Sequence, residues 1–457
     1  MRVLMLGWEF PPHISGGLGT ACLGLTRGLA KVGVDVTFVV PKAFGDEDRG
    51  PTRILGCNEV PVEVDEDDGE GPRGPAAAAS RAARRRVLAV DSALLPYLSA
   101  EQYAARLAAL EREAAEEEER AAAPPPAPVP VENPDKARRV SVAKRPLSFA
   151  GFYGPDLMAE VERYAKVVEQ VARAEAFDVV HAHDWMTYPA ATRAAAASGK
   201  PLVVHVHACE YDRSGEHVNP AIVAIERAGL AAAHRVVAVS HFTAGILRRR
   251  YGVPAEKLRV VHNAVTRREQ REGWHVEKPV GGPVVLFLGR VTFQKGPVYF
   301  LEAAARVVRV LPDVRFVMSG SGDMLPAMVE RAAAMGLARH VRFTGFLSGA
   351  DVERMFALAD LYVMPSVSEP FGISPLEAMA QDVPVIVSRQ SGVAEVLASA
   401  LKVDFWDVED LANKIVAVLR RPALRQVLTA GGRAEVEGMR WEARAAQLAT
   451  LYAEVAA

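Results

Sequence analysis

Leu361-Tyr-Val-Met364-Pro-Ser366-Val-Ser-Glu369-Pro-Phe371-Gly372-Ile-Ser374-Pro375-Leu-Glu377-Ala-Met-Ala380 holds a strand, a loop and a helix start in twenty residues. Its first four residues form a short apolar, β-prone run that reads as a buried strand. Ser374-Pro375-Leu376-Glu377 has the form S-x-x-E with Pro at the first helical position, which predicts a helix from Pro375 with Glu377 in its first turn. Glu369 lies eight residues earlier, across the Gly372 turn. Two readings of this pair are open. Glu377 closes its own capping box, worth about 1 kcal/mol, or the free amides of the helix start meet an anion such as a phosphate while the acids face hydroxyl groups.

The same strand–loop–helix unit recurs along the chain. Runs at 3–7, 35–40, 179–182, 202–206 and 235–239 read as buried strands of one parallel sheet, and 284–288, 314–318, 341–344, 361–364 and 383–387 as strands of a second. Helical patterns at 18–31, 154–174, 297–310 and 351–358 alternate with them. Such alternation implies parallel sheets covered on both faces. The expected fold class is α/β, with two doubly wound, Rossmann-like domains facing each other across a cleft. The expected division is 1–268 for the first domain, 269–440 for the second, and 441–457 for a terminal amphipathic helix with Leu448, Leu451, Tyr452 and Val455 on its apolar face. Residues of about 60–145 break the pattern. An acidic run, an Ala/Arg-rich run, a helix former over 101–120 and a Pro/Ala-rich tail mark an insertion with one helix.

Composition narrows the function. The 457 residues are 50% apolar and 24% charged, with 54 basic and 56 acidic side chains, so neither nucleic acid nor a membrane surface is the expected partner. No segment approaches the ~20 apolar residues of a membrane span. Cys22, Cys57 and Cys209 are scattered and fit neither a disulfide framework nor a zinc knuckle, so a cytoplasmic location is expected.

Three further stretches carry chemistry. Pro11-Pro-His13-Ile-Ser-Gly16-Gly17-Leu-Gly19 follows the opening strand and leads into a helix, where glycines let a ligand approach the backbone. It also reads as an ordinary tight turn. Gly289-Arg290-Val-Thr-Phe-Gln-Lys295-Gly296 places two cations at the carboxyl end of a strand, where doubly wound sheets bind ligands. A helix dipole contributes only ~0.3–1 kcal/mol, whereas a fixed cation aimed at a leaving diphosphate supplies on the order of 10²–10³ in rate. His181-Ala-His183-Asp184-Trp185 and His205-Val-His207 put paired histidines on one strand face each. They read as core residues, as sugar contacts, or as ligands of a metal-dependent hydrolase. Asp46-Glu-Asp48 has the form of a D-x-D metal motif and reads as a solvated loop.

In this order, the motifs resemble one family. Glu369-Pro-Phe-Gly372 with Glu377 looks like the E-x7-E motif of retaining glycosyltransferases of the two-domain GT-B fold. Gly289-Arg290 with Lys295-Gly296 resembles their phosphate-binding pair. Gly16-Gly17-Leu18 and His183-Asp184-Trp185 are similar to the glycogen and starch synthase branch. The resemblance covers nearly the whole chain apart from 60–145.

It implies retaining transfer of a glucosyl unit from an ADP-, UDP- or GDP-sugar to a glucan or other carbohydrate acceptor, with no metal or other cofactor. By matching position, Arg290 and Lys295 would hold the diphosphate, Glu377 the ribose, and Glu369 with the Phe371–Gly372 backbone the donor sugar. His207 would contact the transferring sugar, Asp184 would line the acceptor side, and Gly289 and the Gly16-Gly17 loop would flank the phosphates. The terminal helix would return to the first domain. Two departures keep other sugars, such as mannose, and other acceptors open: Ile14 stands at the Lys of the bacterial K-x-G-G-L loop, and Ser391-Gly392-Val393 replaces a Gly-Gly pair. A sugar-nucleotide-binding scaffold without activity is a further reading, disfavoured by the intact Arg290, Lys295, Glu369 and Glu377.

Overall fold

A computed structural model describes residues 1–13, 16–47, 50–65, 142–147, 149, 156–266 and 282–457. In chain order the first-domain strands are β1 (Arg2–Leu6), β2 (Asp35–Val40), β3 (Arg53–Gly56), β4 (Pro61–Asp65), β5 (Val142–Pro146), β6 (Val179–His183), β7 (Leu202–Val206), β8 (Arg235–Ala238) and β9 (Leu258–Val260). All but β4 and β5 form one sheet of order β3-β2-β1-β6-β7-β8-β9, parallel throughout. The second-domain strands are β10 (Val284–Leu288), β11 (Arg315–Ser319), β12 (Val341–Gly345), β13 (Leu361–Met364), β14 (Val385–Ser388) and β15 (Leu401–Val403). They form a second parallel sheet, β12-β11-β10-β13-β14-β15. The expected α/β fold of two doubly wound sheets is the observed one.

The differences are local. Strands β3, β9 and β15 are three or four residues long, too short for a periodic signal. Strand β14 starts at Val385 rather than 383, because Pro384 has no N–H to give and contributes only its carbonyl, to Tyr362 N at 3.0 Å. The helix expected over 297–310 ends at Val307. At the base of the 60–145 insertion, β4 and β5 pair antiparallel; the helix expected over 101–120 lies outside the described residues.

Alternation along the central strands splits the first core in two. Leu4, Leu6, Val180, Ala182, Val204 and Val206 face one layer, and Val3, Met5, Val179, Val203 and Val237 face the other. Helices Gly17–Lys31 and Trp441–Ala456 cover the second face together. Trp441 lies so close to Gly24 that a β-carbon there would sit 2.2 Å from its ring. The terminal helix is therefore a layer of the first domain. The chain crosses between domains twice, and the crossing segments meet where Val265 N donates to Met439 O at 3.3 Å.

Gly24→Ala therefore overpacks this contact, and a loss of about 1–3 kcal/mol is expected. Trp441→Ala empties it, for about 3–5 kcal/mol. Denaturant unfolding followed by circular dichroism measures both; a midpoint unmoved by Gly24→Ala would contradict the packing described.

Candidate active site

In a doubly wound sheet, a ligand crevice opens at the carboxyl ends of adjacent strands whose connections run in opposite directions. The strand orders put these points between β1 and β6 in the first domain and between β10 and β13 in the second. The segments that follow those four strands carry Gly16, Gly17, Asp184, Arg290, Lys295, Glu369 and Glu377, and His207 follows the next strand, β7.

On the second domain, the β10 loop is locked to its neighbour. Gly289 N donates to Ser319 O at 3.0 Å and Val291 N to Ser321 O at 2.8 Å. Arg290 is thereby fixed at the strand end, with Nη2 3.5 Å from Gln294 Oε1. A single helical turn over Phe293–Lys295 brings Lys295 to Glu369 of the β13 loop, and the two side chains form an ion pair. Ser366 Oγ donates to the same carboxylate oxygen at 3.2 Å. The backbone of Glu369 is held as well: its N–H donates to Gln390 O and its carbonyl accepts from Gly392 N, both at 2.9 Å, while Val393 N donates to Phe371 O at 2.7 Å. Residues 391–393, where a Gly-Gly pair was expected, therefore form the seat of the Glu369 loop.

The capping-box reading of Glu377 does not survive. The helix is Ser374–Ala380, Ile373 stands at the cap position, and no side chain caps it. The Ser374 hydroxyl instead bonds the buried Tyr362, whose pKa is raised first by burial and then by Glu369 and Glu377 nearby. Tyr362 donates to Leu288 O at 3.1 Å, under the switch point. Phe371 is buried, and Gly372 turns the chain at φ 97°.

On the first domain, Gly16 and Gly17 are exposed at the start of helix Gly17–Lys31. A β-carbon on Gly17 would sit 4.0 Å from Ile373 Cδ1, so this loop faces the Glu377 helix across the cleft. Ile14 lies outside the described residues. Of Asp46-Glu-Asp48, read as a solvated loop, Asp46 is exposed, Glu47 is buried and Asp48 lies outside the described residues. Asp46 bonds His13 Nε2 at 2.7 Å, and the buried Glu47 accepts from the backbone N–H of Phe44 and Gly45.

Asp184, which the resemblance puts on the acceptor side, is held by its neighbours in the first domain. It is buried at φ 59°, and its Oδ1 accepts from His207 N at 2.7 Å and Ala208 N at 3.2 Å. The carboxylate thus clamps the His207 loop, and burial pushes its pKa up to about 6. Arg213, almost fully buried, completes the clamp by donating to Ala208 O at 2.9 Å. Glu226 faces Arg213 at 3.4 Å and is pushed up to about 7, chiefly by burial. His207 is half-buried with Nε2 2.9 Å from His183 Nδ1, and burial lowers its pKa to about 3. It is neutral at pH 7.

His181, His183 and His205 are fully buried beneath it, each with one ring nitrogen within 4.8 Å of those of the other two. His181 Nε2, His183 Nε2 and both nitrogens of His205 have no hydrogen-bond partner. Neutral imidazoles can ligate a metal. All three are exposed by only 0–1%.

Asp212, Arg213, Glu226 and Tyr362 went unread in the sequence. No motif in the sequence marks them, and only burial gives each its meaning.

Two doubly wound domains with switch-point loops facing across one cleft, cations on one side and a clamped histidine on the other, make up the GT-B arrangement. The comparisons agree on it. Residues 269–435 match Glycosyl transferases group 1, residues 92–269 match Glycosyltransferase Family 4, and residues 2–116 match the Starch synthase catalytic domain. The chain belongs to the GT-B glycosyltransferases of this group, with glycogen and starch synthase-like domains. An uncharacterised glycosyltransferase of Methanocaldococcus jannaschii is 27% identical over 410 residues, 87% of this chain and 83% of its own. Glycogen synthase of Mycobacterium tuberculosis is 23% identical over 443 residues, 93% and 88%. Among solved structures, sucrose-phosphate synthase from Thermosynechococcus elongatus shares the fold at TM-score 0.68 and 19% identity, covering 99% and 98%. Anabaena HepE in complex with UDP-glucose does so at 0.63 and 17%, covering 99% and 100%. Among the described residues, no helix is long and apolar enough to cross a membrane.

The clamp makes a pH prediction. A raised carboxylate pKa means that the folded protein binds this proton more tightly than the unfolded chain does. Asp184 therefore favours folding only at low pH, and its ionised, amide-accepting form is lost as pH falls through about 6. An acid limb near pH 6 is expected in kcat/KM, and Asp184→Asn, which keeps an acceptor oxygen but cannot ionise, should flatten it. An unchanged limb in the variant would remove Asp184 from this role.

Proposed function

We propose that the protein transfers a glucosyl unit from a nucleoside-diphosphate glucose to a glucan or other hydroxyl acceptor, with retention of configuration. The observation that carries this reading is the contact of Lys295 with Glu369 across the β10/β13 switch point, with Arg290 on the same loop. A departing diphosphate carries a charge near −2, and Arg290 and Lys295 are aimed where that charge develops. Glu369 holds Lys295 in place beforehand, so little reorganisation remains at the moment of reaction, and its carboxylate also offers acceptors to donor-sugar hydroxyls. Glu377 serves the ribose from the first turn of its helix, while Phe371 and Gly372 shape the wall between them. Gly289 and the Gly16-Gly17 loop close on the phosphates.

His207 is neutral, so it meets a sugar hydroxyl as a hydrogen-bond partner and does not act as the acid at pH 7. The acceptor proton passes to the leaving phosphate oxygen as the acceptor attacks from the same face. The paired cations supply the countercharge, so the reading needs no metal, and activity is expected to withstand chelation. Relatives named as glycogen synthase and a structural neighbour solved with UDP-glucose support a glucosyl donor. A relative named D-inositol 3-phosphate glycosyltransferase, 29% identical over 317 residues, supports a different acceptor on the same machinery. The scattered, free and buried cysteines suit a cytoplasmic location.

Lys295→Ala and Glu369→Ala should each lower turnover by about 10²–10³ while the circular dichroism spectrum is kept. Wild-type turnover in both would sink the assignment. A thermal-shift panel of ADP-, UDP- and GDP-glucose and GDP-mannose identifies the donor, since a ligand at about 100 times its Kd adds ~2.7 kcal/mol. No shift with any of them would overturn the reading.

A further inference from the structure

We infer that Ser368 and Asp212 form a clasp that registers the Glu369 loop of the second domain against the His207 loop of the first. Both are then positioning residues for the transfer. The inference rests on reading Lys295 and Glu369 as the donor site.

Ser368 Oγ donates to Asp212 Oδ1 at 2.7 Å across the cleft. Asp212 is a prepared acceptor: it is 1% exposed, and its Oδ2 already accepts from Cys209 N at 2.9 Å and Cys209 Sγ at 3.1 Å. The carboxylate therefore cannot swing to follow a moving partner. It also belongs to the frame that holds His207. Its neighbour Arg213 grips Ala208 O, and Asp184 grips the N–H groups of His207 and Ala208. On the other side, Ser368 directly precedes Glu369, whose backbone is pinned to Gln390 and Gly392. One hydrogen bond thus joins two rigid frames, one ending at His207 and the other at Glu369.

A second cross-domain contact follows Glu369 and is built differently. Pro370 O accepts from Ser240 Oγ at 2.5 Å and Thr243 Oγ1 at 3.2 Å, and Gly392 is so close to Ser240 that a β-carbon would sit 2.4 Å from its Cβ. Glu395 adds bonds to His241 N, Phe242 N and His262 Nε2. One member of this patch, His262, stands three residues before Val265, where the chain crosses, which makes it the hinge side. The Ser368–Asp212 bond lies on the other side of Glu369 from Pro370, toward the turn that carries Lys295, where a β-carbon on Gly215 would sit 3.8 Å from the Phe293 ring. Rotation about the hinge opens the clasp first. Glu369 is then held from the first domain on one side only, and its register with His207 is lost.

The test uses the full chain with Ser368→Ala, and with Ser368→Thr to restore the hydroxyl. Small-angle scattering of the ligand-free proteins should show a larger radius of gyration for Ser368→Ala than for wild type, with Ser368→Thr returned to the wild-type value. With the donor found by the thermal-shift panel, Ser368→Ala should lower kcat about 10-fold and leave donor Kd within about 2-fold, and Ser368→Thr should recover the rate. Wild-type scattering and kcat in Ser368→Ala would overturn the clasp. A loss of donor affinity equal to the loss of kcat would overturn it too, because Ser368 would then be a donor contact. If no nucleotide sugar binds wild type, the donor-site reading fails, and the scattering comparison still decides whether the bond holds the domains together.

Discussion

A buried carboxylate needs a charge partner, and in this protein that requirement ties the loops that leave the neighbouring strands β10 and β13. Glu369 is 6% exposed, and Lys295 reaches it from a strand 74 residues earlier in the chain. Removing a charge from water is costly, and the cost is offset only where the partner and further donors have good geometry. Here the further donor is Ser366, and a backbone seat over residues 390–393 keeps the loop from relaxing toward solvent. The pair therefore keeps a cation fixed at the switch point.

Much of this was legible in the sequence because it rests on long-range regularity. Runs of buried β-branched residues between helical patterns dictate parallel sheets, and parallel sheets dictate that loops gather at one edge. Arg290, Lys295, Glu369 and Glu377 were readable as site candidates because they follow strand ends. Residues whose meaning depends on burial were not readable. Asp184 reads as a wall residue, and that it also holds up its neighbour's backbone, at a positive φ, no sequence pattern announced. Glu47 reads as solvated and is turned inward. Ser374 reads as a cap, yet its hydroxyl serves Tyr362. In each case a short polar side chain had two competing partners within reach, and tertiary packing chose between them.

The histidine strands show the same limit from another side. A spacing of two puts each pair on one face, and adjacent parallel strands lie ~4.8 Å apart. The pairing His183↔His205 then sets the four rings in one ladder with centroids 4.4–5.4 Å apart. Four charged imidazoles could not share that space, and burial keeps all of them neutral. The ladder is rigid, with one end anchored on Tyr452 of the terminal helix and the other ending at His207 in the cleft.

That anchor makes the order of synthesis matter. The second domain is inserted between β9 and helix Trp441–Ala456, and this helix covers the sheet face formed by Val3, Met5, Phe38, Val203 and Val237. A nascent chain that has emerged as far as residue 440 thus carries the whole second domain beside a first domain whose second sheet face is covered by helix Gly17–Lys31 alone. His181 then lacks its tyrosine, and Gly24 and Gly28 form a groove with nothing in it. The ladder that ends at His207 is completed only when residues 441–456 dock.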